Sequence, residues 1–277
     1  MPEAIVNSIP EKLDSNLDAI AEAVKSSRDA LAVFLVNMEL DSEFVRLCDV
    51  ISKIDTVDET SKVYLASTRD QKRTEVSTLL SGVDVHSKQS VFIRLQDEFG
   101  IPDPDALKKY SSIAKESTNL LPLTGYCPYT SKLDRSEVLP EQGFVTIVEK
   151  QADLCNLHSL FEENKMPPYE LMDCIRKTIE AVRLLHAHDL AHCHIKPQNI
   201  LLDPKSHDVT LGYPEFVRSF GSIPIRGSES IPYPGTQFYV PPEMDDPKSY
   251  HIASHRQFGE YTDAYAIGCL LCQLMDT

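Results

Sequence analysis

Apolar residues recur at three- and four-residue steps through the start of the chain: Leu13, Leu17, Ile20 and Val24, then Leu31, Phe34, Leu35 and Met38, then Phe44, Leu47, Val50 and Ile51. That spacing predicts helices, with Ser15, Ser27 and Asp41 as caps or breaks. No glycine or proline occurs between Pro10 and Gly82, so the stretch does not have the composition of a loose linker. The expectation is a helical segment over residues 1–60, a short bundle or hairpin that packs against the rest or offers a surface to a partner.

From residue 61 the period changes. Val63–Ala66, Glu75–Leu80 and Ser90–Leu95 are short and rich in β-formers. A helix is expected over Asp105–Glu116, opened by Pro102-Asp103-Pro104, and further strands over Leu120–Tyr126 and Phe144–Glu149. After Pro167-Pro168 a long helix runs from Tyr169 to about His188, its buried face expected to be Leu171, Ile175, Ile179, Val182 and Leu185. Another strand is expected over Asp208–Leu211.

Composition narrows the functional classes. The 277 residues are 42% hydrophobic and 25% charged, an ordinary mixture able to bury a core. The formal net charge of −15 argues against nucleic acid and anionic membranes as partners. Residues 1–60 hold 13 acidic against 5 basic side chains, a shift that suggests a boundary near residue 60. Met1-Pro2-Glu3-Ala4 has no secretory character. The apolar run Ala30–Val36 is too short to span a bilayer. The seven cysteines are scattered. Cys269-x-x-Cys272 sits in an apolar helical run with no second pair or nearby His at metal-ligand spacing, so packed thiols in a reducing, cytoplasmic setting are expected.

The chemistry concentrates in His192-Cys193-His194-Ile195-Lys196-Pro197-Gln198-Asn199 and the Ile200-Leu201-Leu202-Asp203 that follows. This run resembles the catalytic loop of protein kinases, H-R-D-L-K-P-x-N, with His194 in place of the aspartate. Gly235-Thr236-Gln237-Phe238-Tyr239-Val240-Pro241-Pro242-Glu243 is similar to the segment that closes the family's activation loop. Tyr261-Thr262-Asp263-Ala264-Tyr265-Ala266-Ile267-Gly268-Cys269-Leu270-Leu271 is similar to a central helix of its large lobe. The resemblance covers about residues 61–277. It implies an α+β, two-lobed protein-kinase-like fold: a small antiparallel sheet lobe over 61–150 and a partial helical large lobe over 151–277, truncated after the central helix and preceded by the acidic helical segment. It also implies that Asp263 hydrogen-bonds the backbone of the loop. Because the chain stops at Thr277, Ile267, Leu270, Leu271 and Leu274 are expected to be partly uncovered.

The same resemblance implies that the chemistry is degraded. In the family the loop aspartate takes the substrate proton and the asparagine binds magnesium. Here His194 stands at the first position, and Tyr213 of Gly212-Tyr213-Pro214-Glu215 stands where a second aspartate would hold the metal. A neutral phenol is a poor ligand for a hard cation. Glu215 is displaced by two residues and is read as a solvated carboxylate. No G-x-G-x-x-G lies between residues 61 and 95, and Arg94 stands at or near the phosphate-binding lysine. The helix glutamate that would pair with that lysine is absent, and Lys108 and Lys109 lie near its position.

The expectation is therefore a pseudokinase-like regulator or scaffold that binds protein partners, an active kinase among the candidates, with no nucleic-acid or membrane partner. No catalytic residue is assigned with assurance: His194 and Tyr213 are degenerate positions, His192, Lys196, Asn199 and Asp263 are retained loop residues, and Arg94, Lys196 and Asn199 are candidate nucleotide contacts. No cofactor is expected, ATP only weakly and magnesium not at all. Two alternatives stay open. One is an atypical active kinase using His194 as base, Arg94 and Lys196 on phosphates, and Asn199 with Glu215 on a metal. The other is a nucleotide-sensing binding module.

Overall fold

Val91, Ile93 and Leu95 are buried while Phe92 and Arg94 between them are half-buried, the period-two signature of a strand packed on one face. The computed structural model in which this is seen describes residues 31–36, 44–50, 62–73, 77–84, 87, 89–97, 103–131, 142–149, 154–162, 166–222, 236–245 and 257–275. The chain divides into two units, Met1–Ile101 with Leu123–Ala152, and Pro102–Pro122 with Asp153–Thr277.

The first unit is a β structure of seven described strands: β1 (Leu31–Val36), β2 (Phe44–Val50), β3 (Lys62–Arg73), β4 (Ser77–Asp84), β5 (Ser90–Asp97), β6 (Leu123–Ser131) and β7 (Gln142–Glu149). They close into a barrel in the order β1-β2-β6-β7-β5-β4-β3, antiparallel throughout except where β1 runs parallel to β3. The helices expected over Leu31–Met38 and Phe44–Ile51 are thereby corrected to strands. A run of four to eight apolar residues looks alike as a strand or as a buried helix. What decides is a pairing partner, here Lys62–Ser67 for β1. The boundary near residue 60 falls inside this barrel rather than between units. Leu13, Leu17, Ile20 and Val24 lie outside the described residues.

In the second unit, Asp103 opens α1 (Pro104–Ala114) by accepting the Ala106 N–H at 3.0 Å, with Pro104 in the first turn where its missing N–H costs nothing. This helix belongs with the second unit, not with the small lobe in which it was expected. The helices α2 (Leu157–Glu162), α3 (Pro168–His186), α4 (Pro242–Asp245) and α5 (Glu260–Met275) follow. Along α3 the buried residues are Leu171, Cys174, Ile175, Thr178, Ala181, Val182 and Leu185. Ile179, expected among them, is exposed. It lies about 100° round the helix from the centre of that face, where Thr178 sits instead, and the Thr178 hydroxyl donates to the Cys174 carbonyl at 2.8 Å. In α5, Ile267 and Leu271 are half-buried, as expected of a partly uncovered face, whereas Leu270 and Leu274 are buried, which corrects that expectation for these two. Among the described residues no helix is long and apolar enough to cross a membrane.

Candidate functional site

The loop that carries the chemistry leaves β9 (Leu190–Ala191) and enters a short turn, Pro197–Asn199, before β10 (Ile200–Leu202). β10 is flanked by β8 (Cys155–Asn156) and by β11 (Val209–Leu211), both antiparallel, and β9 pairs with β12 (Arg218–Ser219). Under the loop, Ala191, Cys193, Val240, Met244 and Phe258 form a buried cluster against which Phe216 and Phe220 pack. The loop is thus held from below by apolar burial and at its ends by two small sheets.

Polar contacts fix its first half. The Asp263 carboxylate, fully buried on α5, accepts the His192 N–H at 2.8 Å on Oδ2 and the Cys193 N–H at 2.9 Å on Oδ1. Its Oδ2 also lies 2.8 Å from His186 Nε2, at the end of α3. One carboxylate therefore ties two helices and the start of the loop. His192 is buried, and burial holds its imidazole below the ordinary value, against the opposing pull of Asp263 and of the Gly212 carbonyl. In the neutral ring Nε2–H donates to the Gly212 carbonyl at 3.0 Å, and Nδ1 accepts the His194 N–H at 3.3 Å. Gly212 is held this closely because it lacks a side chain: a Cβ there would lie 3.2 Å from Leu201 Cδ1. Its own N–H donates to the Asn199 carbonyl at 2.9 Å.

The far half of the loop gathers three different groups. Lys196 Nζ donates to Thr236 Oγ1 at 2.8 Å, and His194 Nε2 lies 3.3 Å from the same oxygen. The His194 ring leans on Phe216, with centroids 4.0 Å apart. The Asn199 amide is buried and donates to the His194 carbonyl at 2.7 Å, so its nitrogen braces the loop.

After β11 the chain turns through Tyr213, whose φ of 64° and ψ of 63° are left-handed. A bulky aromatic residue rarely adopts that conformation, whereas Asn and Asp adopt it several-fold more readily. The backbone thus holds a shape that suits a carboxylate residue, but a phenol is attached to it. Glu215, read from sequence as solvated, is only 2% exposed. Tyr110 of α1 is fully buried and donates its hydroxyl to the Leu121 carbonyl at 2.9 Å. Burial first, then the Glu215 charge, pushes its phenol far up, so Tyr110 stays protonated. The apolar setting of α1 explains the correction to Glu215: the residues facing inward include Leu107 and Tyr110, while Lys108 and Lys109 face solvent. As a donor set for a hard cation, a phenol, a buried carboxylate beside another phenol and one amide oxygen do not fit magnesium well.

Arg94 belongs to the first unit. It lies in mid-strand, half-buried in β5, registered between Leu79 of β4 and Thr146 of β7. Lys196 and Asn199 belong to the second unit. Cys269 and Cys272 are free thiols. Among the described residues no group of three or more His, Cys, Asp or Glu could hold a metal ion. Reasoning from sequence gave no role to His186, Thr236 or Tyr110. His186 carries a usable signal, lying six residues before His192, as does Thr236, which follows Gly235; Tyr110 carries none.

Residues 127–277 match the family model described as protein kinase domain. Among curated relatives, cyclin-dependent kinase-like 4 of Homo sapiens is 28% identical over 123 residues, which is 43% of this chain and 29% of that protein. Serine/threonine-protein kinase dkf-2 of Caenorhabditis briggsae is 22% identical over 226 residues, 79% of this chain and 17% of that one. The chain spans less than a third of the length of these relatives. Among solved structures, the kinase PK-1 of Cydia pomonella granulovirus superposes with a TM-score of 0.51 at 13% identity, over 74% of this chain and 68% of that one, a likeness of fold.

Proposed function

The chain belongs to the protein kinase domain family, and from that premise we propose that it acts as a regulator or scaffold that binds protein partners without transferring phosphate. The observation that carries this reading is the pairing of a fully anchored loop with a side chain of the wrong chemistry at its working position. Asp263 and His192 hold the backbone in place, yet the residue presented is His194, bonded to Thr236 and stacked on Phe216. Phosphoryl transfer depends on metal ions and positioned charge. Tyr213 and the inward-facing Asn199 amide supply little of either.

Imidazole is a competent base near neutral pH, so the reading turns on the donor end of the reaction rather than on His194 alone. Incubation with γ-labelled ATP, magnesium and a generic protein substrate is expected to give no transfer above a blank. Transfer that disappears in His194→Ala would sink the proposal. Magnesium-ATP is likewise expected to leave the melting temperature unchanged, and a saturable rise that requires the metal would count against it.

A further inference from the structure

The barrel of the first unit is closed unequally. Strands β3-β4-β5-β7-β6 pair antiparallel with their neighbours and would by themselves form an open sheet with β3 and β6 as its edges. The β1–β2 hairpin fills the gap between those edges. Its β1 side is secured along the whole strand, Leu31–Val36 running parallel to Lys62–Ser67. Its β2 side is not: of Phe44–Val50, only Cys48–Val50 lie against β6, opposite Tyr129–Ser131. The next residue on β6 is Pro128, whose missing N–H suits a sheet edge rather than a continued ladder. Beyond it, the described pairings of Leu123–Cys127 are with β7 alone. On its other side β2 meets β1 across a register irregularity between Val33 and Phe34. Behind the edge, Ile93 and Leu95 of β5 are buried opposite Ile147 and Val145 of β7, so the sheet keeps a core of its own. A short ladder opens at less cost than a long one, and an opened edge offers unpaired N–H and C=O groups to another strand.

We propose that the β6 edge is a strand-acceptor site: an extended segment of a partner protein displaces β2 and pairs antiparallel with Tyr129–Ser131, while β1 stays on β3. Main-chain hydrogen bonds give such a site its affinity. The resident strand indicates the occupant. β2 sets the direction, and Phe44-Val45-Arg46-Leu47-Cys48-Asp49-Val50 sets the composition, apolar residues interrupted by single charges. A helical partner could not form this ladder. The site rests on the protein-binding reading and deepens it by giving the place and mode of attachment.

The test is fluorescence anisotropy of the full chain with a labelled synthetic copy of β2, Phe44–Val50 carrying Cys48→Ser. ATP and magnesium are absent, so the outcome is independent of any phosphate transfer. Saturable binding is expected. The same peptide with Asp49→Pro lacks the central N–H of the ladder, and its affinity is expected to fall by about tenfold or more. In the chain, Ser131→Cys places a thiol opposite the native Cys48, and oxidised glutathione should close a disulfide that locks β2 onto β6. Mass mapping identifies the bond. The locked chain is expected to bind no peptide until dithiothreitol restores binding, a reversal that a misfolded variant would not show. Hydrogen exchange gives a second readout: the amides of Cys48–Val50 should exchange at least roughly tenfold faster than those of Val91–Leu95. Absence of binding to the reduced chain overturns the proposal, as does binding indifferent to Asp49→Pro or to the lock. Equal protection in β2 and β5 overturns the displacement of β2, and failure of the disulfide to form in Ser131→Cys overturns the register on which it rests.

Discussion

The two halves of the loop between β9 and β10 behave as different kinds of structure. In the first half the polar contacts brace the backbone: Asp263 takes two backbone N–H groups, His192 bridges Gly212 and His194, and His186 joins from α3. In the far half Lys196 and His194 meet on the Thr236 oxygen, and beyond β11 Tyr213 holds a left-handed turn; His194 and Tyr213 are the positions expected from sequence to depart from the family pattern. On the proposed function, those positions bear on ligand chemistry more than on the fold. A buried carboxylate that satisfies two backbone donors cannot be exchanged without leaving them orphaned. A side chain whose work is to meet a phosphate can be exchanged at little cost to stability. The contrast gives a physical reason why the architecture of a family can persist where side chains at a working position are exchanged.

The sharpest way to break this contrast is Asp263→Ala. Two buried N–H groups would lose their acceptor, and we expect stability in urea to fall by roughly 3–5 kcal/mol. By comparison, His194→Ala in the far half gives up a ring packed on Phe216 but orphans no backbone donor, and should cost about 1–2 kcal/mol. Equal losses at the two sites would erase the distinction.

A smaller effect separates the halves by pH. Burial holds His192 below its ordinary value near 6.5 in the folded chain. The unfolded chain therefore binds the proton first as pH falls, so stability should be full above the unfolded value and decline below it. Unfolding at pH 7.5 and 5.5 should show a drop that His192→Asn reduces, after a pH-independent loss of about 2 kcal/mol from the broken bridge. A variant whose pH dependence matches the wild type would place the titration elsewhere.

The smallest expected change is at Tyr213. Its left-handed backbone costs on the order of 1 kcal/mol in a bulky residue and less in asparagine. Tyr213→Asn should raise the unfolding midpoint slightly, an outcome opposite in sign to the first two. A loss of more than about 1 kcal/mol would show that the phenol holds the fold together after all.

Several elements could be read from residues alone because their determinants are local. Pro104 after Asp103 opens α1, Pro168 opens α3, and the alternation of Val91, Ile93 and Leu95 fixes β5. The order of the loop, the Gly235-Thr236 segment and the Asp263 helix was likewise visible in sequence, since motif spacing survives substitution at single positions. Leu31–Val36 and Phe44–Val50 were misread because their apolar steps fit helix and strand alike, and only pairing across the barrel distinguishes them. The burial of Glu215 and the outward turn of Ile179 depend on which neighbours arrive, and no spacing rule encodes that.

The sequence by itself determined the family resemblance and the identity of the altered positions, because those are matters of residue type at fixed intervals. The tertiary structure decided what each altered residue touches: His194 beside Lys196 on one threonine oxygen, Tyr213 on a left-handed backbone, Glu215 next to a buried phenol. Residues 40 positions apart meet only when the chain folds, and the hydrogen bonds and burial that set their chemistry come into being there.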